Sequence, residues 1–298
     1  MSNSSPKTVG VVGLGLLGSA LAECFHSSGF EVLGFDVDSN RRSTFRRLKR
    51  QTAKSSIELA HRVKHIVFSL PDSDVVDNVL SKIETHLQPE TIVIDTTTGD
   101  PHQISKFGPR LAARNVFYLD STVGGSSTLV RNREALVFVG GVEKAFHASQ
   151  KIFAAFSRQV FYLGESGSGA QMKLVFNLAL GLHRAVLAEA LHFATTSGIA
   201  PAMALEILQA GVAYSRVMDT KGRKMVEGDF EPEARLTQHL KDVRLMLKVA
   251  ERNGTSLPLS RLHRSLLETA ERSGLGEADN SALIKIFATL NDHDKGPR

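Results

Sequence analysis

The stretch TVGVVGLGLLGSA, residues 8–20, decides how the rest of the chain is read. A run rich in valine leads straight into Gly13, Gly15 and Gly18, and the apolar spacing beyond them is that of a helix. Each glycine has a steric task. Gly13 makes the tight turn, Gly15 lets a phosphate approach the backbone, and Gly18 lets helix and strand pack closely. The helix start then offers free N–H groups and a partial positive charge to an anion. Alone, this spacing arises by chance in glycine-containing loops. Here a second strand-like run, EVLGF (31–35), ends on Asp36, eighteen residues after Gly18, where an acid can accept hydrogen bonds from ribose hydroxyls. The expectation is a dinucleotide site built from Gly13, Leu14, Gly15, Leu16, Leu17, Gly18 and Asp36.

Asp36 also bears on the cofactor, because a carboxylate there repels a 2′-phosphate. NAD is expected, with NADP less favoured. Arg41 and Arg42 are the residues that would reach a phosphate if the loop folded back; the alternative is that they are solvated helix residues.

Beyond this turn, β-rich runs alternate with helical stretches: HIVFSL (65–70), TIVID (91–95), VFYLD (116–120), ALVFVG (135–140) and QVFYLG (159–164). That alternation builds a mainly parallel sheet covered on both faces, a Rossmann arrangement, with Ser39, Ser73 and Asp100 as expected helix caps. After Gly164 the pattern changes. GESGSG is a flexible turn and everything from Ala170 onward has helical spacing. The expected domains are therefore residues 1–164, an α/β dinucleotide-binding domain, and residues 165–298, an all-α domain for catalysis and self-association.

Composition narrows the classes. Apolar residues make up 42 % and charged residues 22 % of 298, as in ordinary globular proteins. The single cysteine, Cys24, cannot form an internal disulfide. MSNSSPK at the start lacks the apolar core of a signal peptide, so the expected location is the cytoplasm. The most apolar stretch, Leu174 to Ala194, is interrupted by His183, Arg184 and Glu189, so a buried helix is expected and no membrane partner. A net charge of +5 and the basic run FRRLKRQTAK (45–54) raise the question of nucleic acid. One aromatic residue in that run is no stacking platform, and a solvated helix near an anionic cofactor looks the same; no nucleic-acid partner is expected.

A Rossmann domain leaves the acid–base group unspecified. The segment GSGAQMKLVFN places Lys173 and Asn177 four apart, on one helix face just after the glycine turn. A lysine in so apolar a helix should have a lowered pKa, suited to general acid–base work, with Asn177 orienting it or holding a substrate hydroxyl. Read from spacing alone, a lysine reaching out of the first turn to solvent is the stronger reading.

Taken together, GLGLLG, SLPDSDVV, DTTTGDP, DSTVGG, GSGAQMKLVFN and HLKDVRL resemble, in order and from about residue 8 to 260, the motifs of the β-hydroxyacid dehydrogenase family. Its members include 3-hydroxyisobutyrate dehydrogenase and tartronate semialdehyde reductase. The resemblance implies hydride transfer between a nicotinamide and a small 3-hydroxy acid or its carbonyl counterpart. It makes Gly13, Gly15, Gly18 and Asp36 cofactor ligands, puts Leu70, Pro71 and Thr97 beside the nicotinamide, and identifies Lys173 as the catalytic lysine and Asn177 as a substrate contact. Lys241, next to Asp242, would reach back to the cofactor, and Ser121, Gly124, Gly125 and Ser126 would form the substrate loop. A homodimer or homotetramer is implied as well.

Two departures stand out. The family's loop reads DAPVSGG; here DSTVGGS has Gly124 where a carboxylate-binding serine is usual, with Ser126 at a usual glycine. Ala234 stands where relatives carry a large apolar residue. No HExxH or paired-cysteine pattern calls for a metal, and His183 and His192 read as packing or surface residues. The competing functions are a non-catalytic cofactor-binding scaffold and an imine reductase-like enzyme, and the presence of Lys173 counts against both. A 6-phosphogluconate dehydrogenase would need a much larger C-terminal domain.

Overall fold

A computed structural model of the protein describes residues 8–293, so MSNSSPK and the last five residues of the expected DHDKGPR tail lie outside it. Eight strands form one sheet: β1 (Thr8–Val12), β2 (Glu31–Phe35), β3 (Gln51–Thr52), β4 (His65–Phe68), β5 (Ile92–Asp95), β6 (Phe117–Gly124), β7 (Ala135–Gly141) and β8 (Ser157–Tyr162). Their order is β3-β2-β1-β4-β5-β6-β7-β8. Every neighbouring pair is parallel except β6 and β7, which run antiparallel from Leu119 opposite Gly141 to Gly124 opposite Leu136. The expected mainly parallel Rossmann sheet is the one observed.

The valine and isoleucine runs explain the two covered faces. Along β4, Val67 joins one buried cluster with Val9, Val11 and Ile94, while Ile66 and Phe68 join the opposite cluster with Val12 and Val93. Successive side chains of a strand point to opposite faces, so a run apolar at every position is buried on both. Each such side chain contributes ~1.5–3 kcal/mol by leaving water.

The caps differ in detail from expectation. Asp38 and Asp72, rather than Ser39 and Ser73, accept the first-turn N–H groups, from Asn40 and Val75. Ser73 is buried and its Oγ accepts from Asp100 N at 3.1 Å, while Asp100 itself caps the helix Pro101–Ile104 through His102 N. In each pair the acid sits just outside the helix, where its oxygen can turn back to the N–H two or three residues on.

The chain divides into two compact units, Met1–Lys173 and Leu174–Arg298. The division falls inside the long helix Ser168–Thr196 because its opening residues are tied to β6. That helix is long and apolar enough to cross a membrane by length and composition alone, yet its Leu174, Leu187, Ala188 and Leu191 are core residues of the second unit. Around them pack Leu240, Val243 and Met246 of the helix Leu236–Arg252 and Leu267 of the helix Pro258–Ala270. Among the described residues no strand follows β8.

Candidate active site

At the carboxyl end of β1 the glycines do what their positions require. Gly13 has φ +95°, and a Cβ on it would lie 2.1 Å from the Ser69 carbonyl oxygen; a Cβ on Gly18 would lie 1.9 Å from the Gly13 carbonyl oxygen. Gly15 differs. The one neighbour its Cβ would meet is Arg41 Nη1 at 3.8 Å, so this face of the turn is open to a ligand. An open glycine face at the start of the helix Leu16–Ser27 is the cradle a pyrophosphate needs, and a side chain would fill it. Leu14 is buried, Leu17 half-buried and Leu16 exposed at the helix start.

Asp36 is 4 % exposed and holds this turn in shape. Its Oδ2 accepts from Leu14 N at 2.7 Å and its Oδ1 from Asp38 N at 2.8 Å. Arg41 Nη1 stands 3.4 Å from the same carboxylate, and Arg42 Nη1 donates to the Asp36 and Val37 carbonyls at 2.5 and 3.0 Å. Leu14 and Arg41 also line a hollow with Ser19, Asn40, Thr44 and Phe45. In the basic run beyond, Phe45 is buried and the Arg50 guanidinium lies 5.4 Å from its ring centre, while Arg46, Arg47, Lys49 and Lys54 are exposed.

The ends of β4 and β5 supply the next pieces. Thr97 is buried, and its hydroxyl oxygen accepts from Leu70 N at 3.1 Å, which pins the loop carrying Leu70 and the exposed Pro71. Thr97 N in turn donates to Asp95 Oδ1 at 2.9 Å, and Tyr118 Oη donates to Asp95 Oδ2 at 2.6 Å. Burial pushes the Asp95 carboxyl up to about 6 against the pull of these hydrogen bonds.

On β6, Ser121 Oγ donates to the Leu119 carbonyl at 3.3 Å and Thr122 Oγ1 to the Gly169 carbonyl at 2.9 Å. Ser126 Oγ accepts from Leu129 N at 3.3 Å and caps the short helix Ser127–Arg131. Gly124 is buried at the strand end, and Gly125, at φ +156°, makes the bend. Lys173 is 8 % exposed, and its Nζ donates to the Val123 carbonyl at 2.6 Å, one residue before Gly124. The lysine of the long helix and the glycine loop of β6 are thereby brought together.

In the second unit Asn177 is 6 % exposed, and its Nδ2 donates to Asp242 Oδ2 at 2.9 Å. Lys241 is partly exposed, with Nζ 3.6 Å from Asp242 Oδ1. Asp242, noticed in the sequence only as the neighbour of Lys241, is the residue that meets Asn177. The KD pair was its signal, but which member touches the amide depends on the helix face. Asp95 was missed altogether, since nothing local distinguishes it from any acid ending a strand. His183 is exposed and His192 stacks on Phe287 at 6.4 Å between ring centres. Among the described residues no group of three or more His, Cys, Asp or Glu is arranged to hold a metal.

Comparison with known proteins bears on what this arrangement serves. Residues 8–164 match the NAD binding domain of 6-phosphogluconate dehydrogenase, and residues 167–287 the NAD-binding domain of NADP-dependent 3-hydroxyisobutyrate dehydrogenase. The chain is 26 % identical over 286 residues to 2-(hydroxymethyl)glutarate dehydrogenase of Eubacterium barkeri, covering 95 % of each chain. It is 27 % identical to L-threonate dehydrogenase of Escherichia coli K12, covering 97 % of this chain and 98 % of that one. A crystal structure of 3-hydroxyisobutyrate dehydrogenase from Salmonella typhimurium superposes with a TM-score of 0.85 at 25 % identity, covering 94 % of this chain and 99 % of the other.

Proposed function

We propose a substrate class, a cofactor preference and a role for each residue in a chain that belongs to the β-hydroxyacid dehydrogenase family and is an NAD(P)-dependent oxidoreductase acting on CH–OH groups. The substrate is a small 3-hydroxy acid of the sugar-acid or dicarboxylate type, and NAD is preferred over NADP. Lys173 is the general acid–base. The observation that carries this reading is the Lys173 ammonium held at the Val123 carbonyl, beside the Gly124–Ser126 loop.

The bound dinucleotide supplies or accepts the hydride. The chain's own residues do the rest. Gly13, Gly15 and Gly18 with the helix start bind the pyrophosphate, and Asp36 faces the ribose hydroxyls. Leu70 and Pro71, steadied by Thr97, flank the nicotinamide. During oxidation Lys173 in its neutral form takes the hydroxyl proton at Nζ; during reduction its ammonium returns one to the carbonyl oxygen. Backbone N–H groups of Gly124, Gly125 and Ser126, with the Ser126 O–H that its acceptor bond to Leu129 N leaves available, hold the substrate carboxylate, since the hydroxyl protons of Ser121 and Thr122 already serve the fold. Asn177, oriented by Asp242, contacts the substrate hydroxyl, and Lys241 reaches toward cofactor and substrate.

Asp36 supports NAD because a 2′-phosphate would meet a carboxylate in place of a hydroxyl. Two relatives support the substrate class, one named for L-threonate and one for 2-(hydroxymethyl)glutarate. Self-association as a homodimer or homotetramer is part of the proposal, supported by apolar side chains left exposed on the second unit. Val175, Val186 and Phe193 are 52 %, 63 % and 71 % exposed and share one face of the long helix, and Met203 and Ile207 add to them from the helix Pro201–Ala210. A cytoplasmic location without nucleic-acid or membrane partners completes it.

The test is a panel of 3-hydroxy acids and semialdehydes assayed with NAD and NADP by the absorbance of the reduced cofactor. Turnover of four-carbon or longer hydroxy acids with NAD is expected. Tight cofactor binding with no turnover of any member would favour the scaffold reading instead.

A further inference from the structure

We propose that Asp120 is a positioning residue for Lys173: from β6 it provides the cap that the lysine's helix lacks, and so fixes where the Nζ atom stands. This rests on the acid–base role proposed for Lys173. The first N–H groups of a helix have no partner within it, and a side chain just ahead of the helix usually takes one of them. Gly167 stands ahead of Ser168–Thr196 with φ +98° and has no side chain to offer. Asp120 replaces it from another element. Its Oδ1 accepts from Gly167 N at 2.8 Å and its Oδ2 from Ala170 N at 2.9 Å.

The slot around this carboxylate is shaped to hold it. A Cβ on Gly140 would lie 2.7 Å from Asp120 Oδ1, and a Cβ on Gly169 would lie 2.8 Å from Oδ2 and 2.6 Å from the Asp120 carbonyl oxygen. With glycine on both walls, helix and sheet close around the acid with no room for a longer side chain. Asp120 is 1 % exposed, so its rotamer is set by packing as well as by the two hydrogen bonds.

The contacts advance in step along strand and helix. Asp120 meets residues 167 and 170, Thr122 Oγ1 donates to the Gly169 carbonyl, and the Val123 carbonyl accepts from Lys173 Nζ at 2.6 Å. One strand therefore fixes both the helix start and the ammonium one turn further on, immediately before the loop proposed to hold the substrate carboxylate. Asp95 and Tyr118 are titratable groups that face Asp120 from the sheet, and β7 presents Gly140 opposite it. Burial raises the Asp120 carboxyl to about 6, so at neutral pH it is the acceptor both N–H groups need. Misplacing a reacting group by ~1 Å can cost ~100-fold in rate, so a loosened cap should be felt at Nζ.

A double-mutant cycle tests this. Asp120→Asn keeps the shape but offers one acceptor oxygen where two are needed, and turns an N–H₂ toward an N–H. In the native background it should lower kcat by ~10–100-fold, with the dissociation constant for the reduced dinucleotide changed less than ~3-fold. In the Lys173→Ala background it should lower the residual kcat by less than ~2-fold, because the group it positions is gone. An equal loss in both backgrounds, or none in the native one, would overturn the positioning role. If Lys173→Ala itself keeps full activity, the acid–base reading fails instead, which is a separate outcome. Should Asp120→Asn not fold, Thr122→Val loosens the same clamp. It is expected to cost ~3–10-fold in kcat with the same dependence on Lys173, and additivity there counts equally against the proposal.

Discussion

Leu14 N donates to Asp36 Oδ2 at 2.7 Å, so the glycine turn and the end of β2 are joined through one carboxylate. The group proposed to select the cofactor is also part of the scaffold. In kcat/KM the enzyme should prefer NAD over NADP, and Asp36→Ala should narrow that preference. Because two buried-side N–H groups lose their acceptor, the variant should also lose ~1–3 kcal/mol of stability. Arg41, released from its 3.4 Å contact with Asp36 and keeping its 3.7 Å pairing with Asp38 through Nε, would then have its Nη1 turned to a 2′-phosphate, and Arg41→Ala in that background should remove the gain in NADP use. Strong NADP preference in the native enzyme would refute the ribose assignment.

Lys173→Ala should lose at least ~100-fold in kcat, the usual scale for a positioned acid–base group, while still binding the dinucleotide. Lys173→Arg should not restore activity, since a guanidinium keeps its proton near neutral pH. Stopped-flow or steady-state absorbance of the reduced cofactor gives both numbers. Near-native turnover in either variant would remove Lys173 from the chemistry.

The helical unit should carry an acid-sensitive histidine. His263 is 2 % exposed, and burial, with the Arg184 charge adding to it, lowers its pKa from 6.5 to about 4. A base whose folded pKa is depressed contributes stability that is fully present above 6.5 and is lost as pH falls toward 4, by ~3 kcal/mol over the whole window. Asp95 and Asp120, raised to about 6, act in the other direction, because the folded state favours their protonated forms as pH falls from 6 toward 3.8. The net slope mixes these effects, so the informative quantity is the difference between proteins. Urea midpoints for native protein and His263→Gln should converge as pH is lowered from 7 to about 5. Parallel curves would show that His263 is not neutral for the reason given.

What could be read in advance follows from how local each cause is. Gly18 is legible because its need is local, a Cβ there lying 1.9 Å from the Gly13 carbonyl oxygen, and Gly13 because its turn, at φ +95°, is local, although the 2.1 Å clash that would bar a side chain is with Ser69 of another strand end. The longer strands were legible because apolar runs such as HIVF are buried on both sides. Gln51–Thr52, a strand of two residues, carries no pattern at all. Asp38 in place of Ser39 is a shift of one position, below what cap preferences resolve. The partners of Asp120 lie 47 and 50 residues away and that of Asn177 lies 65 away, so only the folded chain pairs them. For the same reason the hydroxyls of DSTVGGS, which look in sequence like a polar lining, prove to be engaged with Leu119, Gly169 and Leu129.

That engagement sharpens the prediction for the loop in which this chain departs from its family. With the hydroxyl protons of Ser121 and Thr122 donated to the Leu119 and Gly169 carbonyls, specificity at the carboxylate falls on the backbone, on the Ser126 O–H and on residue 124 itself. Gly124 is buried at the end of β6, opposite Leu136, directly after the carbonyl that holds Lys173. Unlike Gly125, it is not among the glycines with positive φ, so a serine there meets no left-handed backbone penalty. We expect the absent side chain to leave room for a substrate with an added hydroxyl or a longer arm. A threonate-like acid should therefore exceed 3-hydroxyisobutyrate by more than ~10-fold in kcat/KM, because a smaller acid leaves the space beside Gly124 unfilled and forfeits the contacts made there. Gly124→Ser refills the space and adds a donor for the carboxylate, so the ratio should move back toward the smaller acid. Measuring kcat/KM for both acids in both proteins decides the matter. An unchanged ratio would mean that a side chain at 124 faces away from the substrate, and that glycine there has no bearing on the choice of acid.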